Sequence, residues 1–420
     1  MTANAKKAIN IGSLCFLAYL AVYIAKNILG TVTPAIEASG FAESEALTAK
    51  SVYFYAYAIG QLINGAIGDK IKAKYMMSFG LVFAGISNFV FSQINAAYIS
   101  GLAENATEVT MPIAAYVAYA CTGFFLAMIY GPMTKVVSEN TEMPYTTRCS
   151  LGYTIASYLG SPAAGIFAAI WASSWHTAFT ASSIALVVMA VAVFVAFTVF
   201  EKKKLIVYNR FKAEKKSEGG KGSIKKLLER QIVKFALIAM ITGIIRTSLV
   251  TNLSKYFADR LSFEKETAPL IFSIATLAIA SSSFIVIFIY EKIGHDLDKT
   301  LLIMFTSAAC FFTLTYFIDF NPYVNIVLIV LSIMSSNGAA TMLWSRYCPS
   351  LRDTGVVSGA TGFLDFLSYI AAGSMDLITP RLLKIFAWDG VMLVCLGLMI
   401  FGITISLPWK TIKRVTDKHA

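Results

Sequence analysis

Charge is scarce in this 420-residue chain: Asp, Glu, Lys and Arg make up 14% of it, against 57% hydrophobic residues and a mean hydropathy of +0.67. A soluble domain needs a charged surface, so this balance points to a membrane protein. Histidine is scarcer still, with His176, His295 and His419 far apart, and the six cysteines (Cys15, Cys121, Cys149, Cys310, Cys348 and Cys395) stand singly. Neither set has the spacing of a metal site or a disulfide framework. The cysteines read as small apolar residues, and no metal or cofactor is expected. HExxH, paired aspartates in facing spans and nucleophile motifs are missing too, which argues against an enzyme. The N-terminal "MTANAKKAINIGSLCFLAYL" mimics a signal peptide but lacks a small-residue cleavage site, and its apolar part runs on too far. It is expected to be a first span.

What is abundant is apolar sequence in pieces long enough to cross a bilayer, about 20 residues each. Twelve spans are expected, over 9–36, 47–68, 74–94, 113–137, 145–171, 175–199, 231–257, 267–290, 299–318, 322–346, 355–379 and 387–409. Orientation follows from Lys and Arg. Lys70, Lys72 and Lys74 crowd the second loop, and residues 201–230 hold eleven basic against four acidic residues, a net of +7. The first loop instead has Glu37, Glu43 and Glu45, and the third Glu104 and Glu108. Basic loops stay inside, which puts both termini and the central loop in the cytoplasm of a cell (inner) membrane protein. The net charge of +11 is thus largely a topology signal, and no nucleic-acid partner is expected. The stretch "KKSEGGKGSIKK" reads as a solvated linker near acidic headgroups, with an anionic-lipid contact as the alternative. Asn105 begins an "NAT" triplet on an outer loop, meaningful only in a secretory host.

Residues 201–230 split the chain into an N-terminal six-span bundle (1–200) and a C-terminal one (231–420). A faint repeat relates them. The fifth span has "GYTIASYLGS" and the eleventh "GFLDFLSYIAAGS", so Ser157-Tyr158 answers Ser368-Tyr369, and the first and seventh spans carry one interior cation each, Lys26 and Arg246. Six plus six spans with a repeat is a transporter signature, with substrate bound near the midplane. Small residues in "YGP" (130–132), "GSPAAG" (160–165), "SSNGAA" (335–340) and "AAGS" (371–374) are expected to let helices approach closely.

Tyr19, Tyr23 and Lys26 are spaced i, i+4, i+7 and share one helical face. An ammonium there offers three hydrogen bonds, and the guanidinium of Arg246 offers a planar fork, so the two cations would roughly neutralise a phosphate ester. Lys26 could instead snorkel to an interface, Arg246 could serve a structural ion pair, and the tyrosines could be belt or packing residues. Asp365 could be a counter-ion to either cation, the preferred reading, or a proton carrier. Arg148, Lys135, Arg346 and Arg352 near the cytoplasmic ends read as topology or gating charges.

With its twelve spans and "NGAIGDKIKAK" after the second, the chain resembles the major facilitator superfamily. Gly65, Gly68, Asp69, Lys70 and Lys74 take the glycine, aspartate and basic places of that family's cytoplasmic gating motif, with Ala73 where a glycine is usual. The resemblance implies an all-α membrane fold of twelve transmembrane helices in two pseudo-symmetric six-helix bundles, with alternating access. Within the superfamily the chain resembles the organophosphate:phosphate antiporters. Tyr19, Tyr23 and Lys26 fall where those have two tyrosines and an arginine, Tyr57 where a site tyrosine lies, and Arg246, in "IIRTSL", on the seventh-helix arginine. "SWHTAF" at 174–179 and "FAWDG" at 386–390 match as well. Gln61 departs from a frequent lysine, Ser157 from a histidine, and Asp365 has no counterpart. The substrate-binding set implied by face, repeat and resemblance together is Lys26, Arg246, Tyr19, Tyr23, Tyr57, Ser157, Tyr158 and Tyr369. The function implied is exchange of a small anion, a phosphorylated metabolite, for inorganic phosphate by a monomer in the lipid bilayer. Proton-coupled symport of a carboxylate and sensing of a phosphorylated ligand are the alternatives.

Overall fold

In hydrocarbon a backbone must pair its N–H and C=O groups within the segment, and for these apolar runs the helix is the form that does so. The computed structural model describes residues 3–101, 109–142, 145–170, 174–208, 221–250, 252–263, 268–318 and 320–407. It is built of helices, with one isolated bridge between Phe41 and Val109. The Asn105 triplet, residues 209–220 of the linker and His419 lie outside the described residues.

The first part of the chain forms α1 (Ala3–Ala38), α2 (Glu43–Gly68), α3 (Ala73–Ser100), α4 (Ile113–Leu126), α5 (Tyr130–Asn140), α6 (Tyr145–Ile170), α7 (Trp175–Lys202) and the short α8 (Lys221–Glu229). There follow α9 (Ile232–Gly243), a π-helical turn (Ile244–Leu249), α10 (Leu253–Asp259), α11 (Ala268–Lys292), α12 (Leu297–Phe317) and α13 (Pro322–Met342). A second π-turn (Leu343–Tyr347), α14 (Cys348–Ser350), a 3₁₀ turn (Leu351–Thr354) and α15 (Val357–Ser406) complete the chain. Among the described residues, twelve long helical segments correspond to the expected spans. Five are less regular than expected: the fourth is interrupted at 127–129, the seventh and tenth contain π-turns, and the last two form one element broken at Ala387, whose φ is 49°. Nine helices among the described residues are long and apolar enough to cross a membrane. The second and eleventh spans are less apolar because they trade aliphatic residues for Tyr, Ser, Thr, Gln, Asn and Asp365.

The chain forms two compact units. The first comprises Met1–Ile232 with Ser345–Leu367, and the second Val233–Trp344 with Ser368–Ala420. In the first, α1 packs along α6, α3 lies against α4 and α7, and α2 against α4. Glycine permits the closest approaches: a Cβ on Gly160 would stand 2.2 Å from that of Tyr23, and one on Gly123 2.4 Å from the Tyr53 carbonyl. Asparagines add polar ties, as membrane helices use them. Asn88 Nδ2 donates to Ser182 Oγ (2.9 Å) and Ser183 Oγ (3.1 Å) across α3 and α7, and Asn64 Nδ2 to the Phe124 carbonyl (3.0 Å) across α2 and α4.

In the second unit α13 packs against both α11 and α12. Asn337 Nδ2 donates to Ser282 Oγ (2.8 Å), Ser283 and Thr341 hydroxyls meet at 3.0 Å, and Tyr256 donates to Asn325 Oδ1 at 2.6 Å. Asp296 caps α12 by accepting from the Lys299 backbone N–H at 3.0 Å. That bond, more than any other contact, holds the Asp296 carboxyl below the usual carboxylate range. A depressed carboxylate stabilises the fold above its unfolded pKa and loses that contribution as pH falls through the folded value. Asp296→Ala is therefore expected to lower stability by about 1 kcal/mol at neutral pH. Thermal unfolding of both proteins checks this, and the difference should shrink below about pH 4.

Candidate functional site

The face formed by Tyr19, Tyr23 and Lys26 on α1 is the centre of an aromatic cluster in the first unit. Ring centroids of Tyr19 and Tyr23 are 5.0 Å apart, Tyr19 stacks on Tyr130 of α5 at 5.3 Å, and Tyr153 of α6 meets Tyr19 edge-on at 6.2 Å. The Lys26 ammonium stands over three rings, Tyr57 at 4.5 Å, Tyr23 at 4.9 Å and Phe54 at 5.3 Å. Each ring face attracts the cation, more strongly where water is thin. Lys26 is half-buried and Tyr19 and Tyr57 are buried, so the rings offset part of the cost of keeping a charge there. Asp365 is buried within this unit and lies near Tyr19.

The rest of the expected set is placed as follows. Ser157 is half-buried and donates back to the Thr154 carbonyl at 2.6 Å, and Tyr158 beside it is half-buried. Gln61 is buried one turn beyond Tyr57, and neither of its amide atoms has a hydrogen-bond partner. Tyr130, Tyr153 and Phe54 were not among the expected residues. The sequence signal for Tyr130 is its place at the head of the small-residue stretch "YGP".

Arg246 belongs to the second unit and sits half-buried inside the π-turn Ile244–Leu249. A π-turn is rare and recurs at functional sites. Its i→i+5 bonding sets residues five apart one above the other, and here that aligns Gly243 with Ser248. A Cβ on Gly243 would stand 2.3 Å from Ser368 Oγ, while Ser248 Oγ donates to Asp376 Oδ1 at 2.6 Å. Both neighbours lie on α15, so the turn keeps this helix against α15 on either side of Arg246. Tyr369 is buried next to Ser368.

The expected gating residues form a separate cluster in the first unit. Asp69 caps the N-terminus of α15: Oδ1 accepts from the Ser358 N–H at 3.0 Å and Oδ2 from the Gly359 N–H at 2.8 Å. A carboxylate is well matched to a helix start. Room for it comes from glycine on both helices, since a Cβ on Gly65 would stand 2.9 Å from the Ser358 carbonyl and one on Gly362 2.2 Å from the Gln61 carbonyl. Lys135 Nζ donates to the Asp69 carbonyl at 2.9 Å, closing the end of α2. Lys72 and Lys74 both bind Glu201, Lys72 at 2.6 Å, and Lys70 is exposed. Arg346 donates to Thr147 Oγ1 at 3.2 Å. The two loop motifs are helix starts with packed tryptophans: Trp175 lies against His176 and Phe179, and Trp388 meets Tyr256 edge-on at 5.1 Å, beside an Arg260–Asp389 ion pair of 2.7 Å.

Among solved structures, a bacterial homologue of the iron transporter ferroportin in an outward-facing state with soaked iron is similar over 95% of this chain and 99% of its own, at 13% identity and a TM-score of 0.75. The proton:xylose symporter XylE bound to 6-bromo-6-deoxy-D-glucose is similar over 97% and 96%, at 13% identity and a TM-score of 0.71. At that identity they show the fold alone. Searched against curated proteins, the sequence gives no significant match. The family model described as Major Facilitator Superfamily matches residues 15–374, which is most of the chain, and this all-helical, multi-pass membrane protein belongs to that superfamily of transporters.

Proposed function

We propose that this secondary transporter carries a small organic anion, a phosphorylated metabolite, in exchange for inorganic phosphate. The observation that carries the reading is the Lys26 ammonium inside the span α1, ringed by Tyr23, Phe54 and Tyr57. A cation at such a depth is costly and marks a ligand path more often than a scaffold. Tyr19 and Tyr23 extend the cluster with hydroxyls, and Ser157 and Tyr158 of the same unit are proposed as further contacts; Arg246 and Tyr369, in the second unit, are proposed as substrate-binding residues there. The resemblance to the organophosphate:phosphate antiporters supports the phosphate class. The likenesses to an iron-transporter homologue and a proton:xylose symporter carry no substrate.

Asp69, Lys70 and Lys74 are proposed as gating residues of alternating access. The six-plus-six division at 201–230, a monomeric state and cytoplasmic termini in a cell inner membrane belong to the same proposal. Proteoliposomes preloaded with phosphate or sugar phosphates are expected to take up labelled phosphate, and unloaded ones to take up far less. Equal uptake in both, or none with folded protein, overturns exchange.

The burial of Asp365 near Tyr19 favours one second reading, proton-coupled symport of a carboxylate. Uptake driven by a pH gradient and lost in Asp365→Asn would select it over phosphate exchange.

A further inference from the structure

The first unit carries an apolar groove that transport chemistry does not use. Ile71, Tyr75, Phe79, Phe83, Met128 and Phe194 line about 540 Å³ between α2, α3, α7 and the break after α4. Five of these six side chains are at least 38% exposed, with Met128 the exception. Along α3 the lining runs from Tyr75 to Phe83, about 12 Å, most of the ~15 Å of hydrocarbon in one leaflet.

Directly at the end of this groove sits the basic turn. Lys72 and Lys74 share the single carboxylate of Glu201, which leaves that trio net positive, and exposed Lys70, Lys202, Lys203 and Lys204 add to it. Apolar wall and cationic rim are continuous, because Ile71 and Tyr75 of the wall alternate with Lys70, Lys72 and Lys74 of the rim in one stretch of chain. We propose that this groove holds one anionic phospholipid of the adjoining leaflet, its acyl chain along α3 and its headgroup phosphate on Lys70 and Lys72. A zwitterionic lipid fills the same wall but gains less from the rim, so the preference is for net negative charge. The site is separate from the Lys26 cluster and does not depend on what is transported.

Native mass spectrometry of the protein taken from bilayers of equal phosphatidylglycerol and phosphatidylcholine tests this. Phosphatidylglycerol is expected to be retained preferentially as one tightly held molecule. The double variant Lys70→Gln, Lys72→Gln should reduce that preference about thirtyfold, at about 1 kcal/mol per lysine near a membrane surface. Val82 also lines the groove, and Val82→Trp, which fills it, should release either lipid. If Val82→Trp fails to fold, the lysine variant, altered at an exposed turn, still decides the matter. Equal retention of the two lipids overturns the proposal, as does a preference unchanged by the lysine substitutions. Cross-linking through Phe79→Cys that shows a second copy of the chain in the groove overturns it as well.

Discussion

Under the exchange proposed above, uptake of labelled phosphate by the Lys26→Ala protein is expected to fall at least thirtyfold while the protein still folds. Removing one partner of a desolvated charge contact costs about 2–5 kcal/mol, largely because the opposite charge is left without compensation. Here the opposite charge would be the substrate's. Three ring faces now hold the ammonium in place, and without it the faces of Tyr23, Phe54 and Tyr57 turned toward that position present negative π density to an anion. Lys26→Met separates charge from packing, since it keeps an unbranched apolar stem of similar length. Both variants should lose exchange, and Lys26→Met should melt closer to the parent. Lys26→Arg should retain a large part of the activity with an altered KM, because the charge persists but a planar fork replaces a compact ammonium. Full exchange in Lys26→Met would remove the lysine from the binding site.

The second large effect is expected at Asp69. In Asp69→Ala, the backbone N–H groups of Ser358 and Gly359 lose their acceptors in a place that water reaches poorly. Each orphaned donor costs about 1–3 kcal/mol, and the start of α15 also loses a negative charge that suits its dipole. Asp69→Asn should fall between, since its amide retains one acceptor oxygen. Hydrogen exchange reads this directly. Amides at 358–362 should lose protection by one or more orders of magnitude in Asp69→Ala, while those of α3 and α7 remain as they were. Uniform loss across the unit would instead mean general destabilisation. Transport is expected to fall with the local protection.

Periodic and compositional signals carried much of this architecture. Long apolar runs give helices in a bilayer wherever they occur, and the i, i+4, i+7 spacing of Tyr19, Tyr23 and Lys26 fixes their common face regardless of what packs around it. Asp69 was visible as a carboxylate among lysines. Its partners were not, because Ser358 and Gly359 lie some 290 residues away and nothing local announces them. The same holds for Tyr153, which joins the cluster from α6 through tertiary packing alone. Contacts group residues 345–367 with the first unit although they follow the basic linker in sequence. A hydropathy profile has no term for that, since it records how apolar a segment is and not which neighbours it meets. The π-turns are hidden for a related reason: "IIRTSL" and "LWSRY" are ordinary helical sequence, and the first of them is flanked by the contacts of Gly243 and Ser248 with α15.

The turn around Arg246 makes the chain's length there a conserved quantity in the mechanical sense. Gly243 and Ser248 both meet α15 only because five residues, in place of the usual three or four, separate successive contacts on that face. Deleting one residue from Ile244–Leu249 would tighten the turn into regular α-helix, the more stable local form. It would also rotate everything downstream by about 100°, swinging Ser248 off Asp376 and facing a different side of the helix toward α15. Point substitutions in this stretch change chemistry one side chain at a time, whereas a single deletion changes the phase of a whole helix. The segment should therefore tolerate exchanges of residue type far better than any change in residue number.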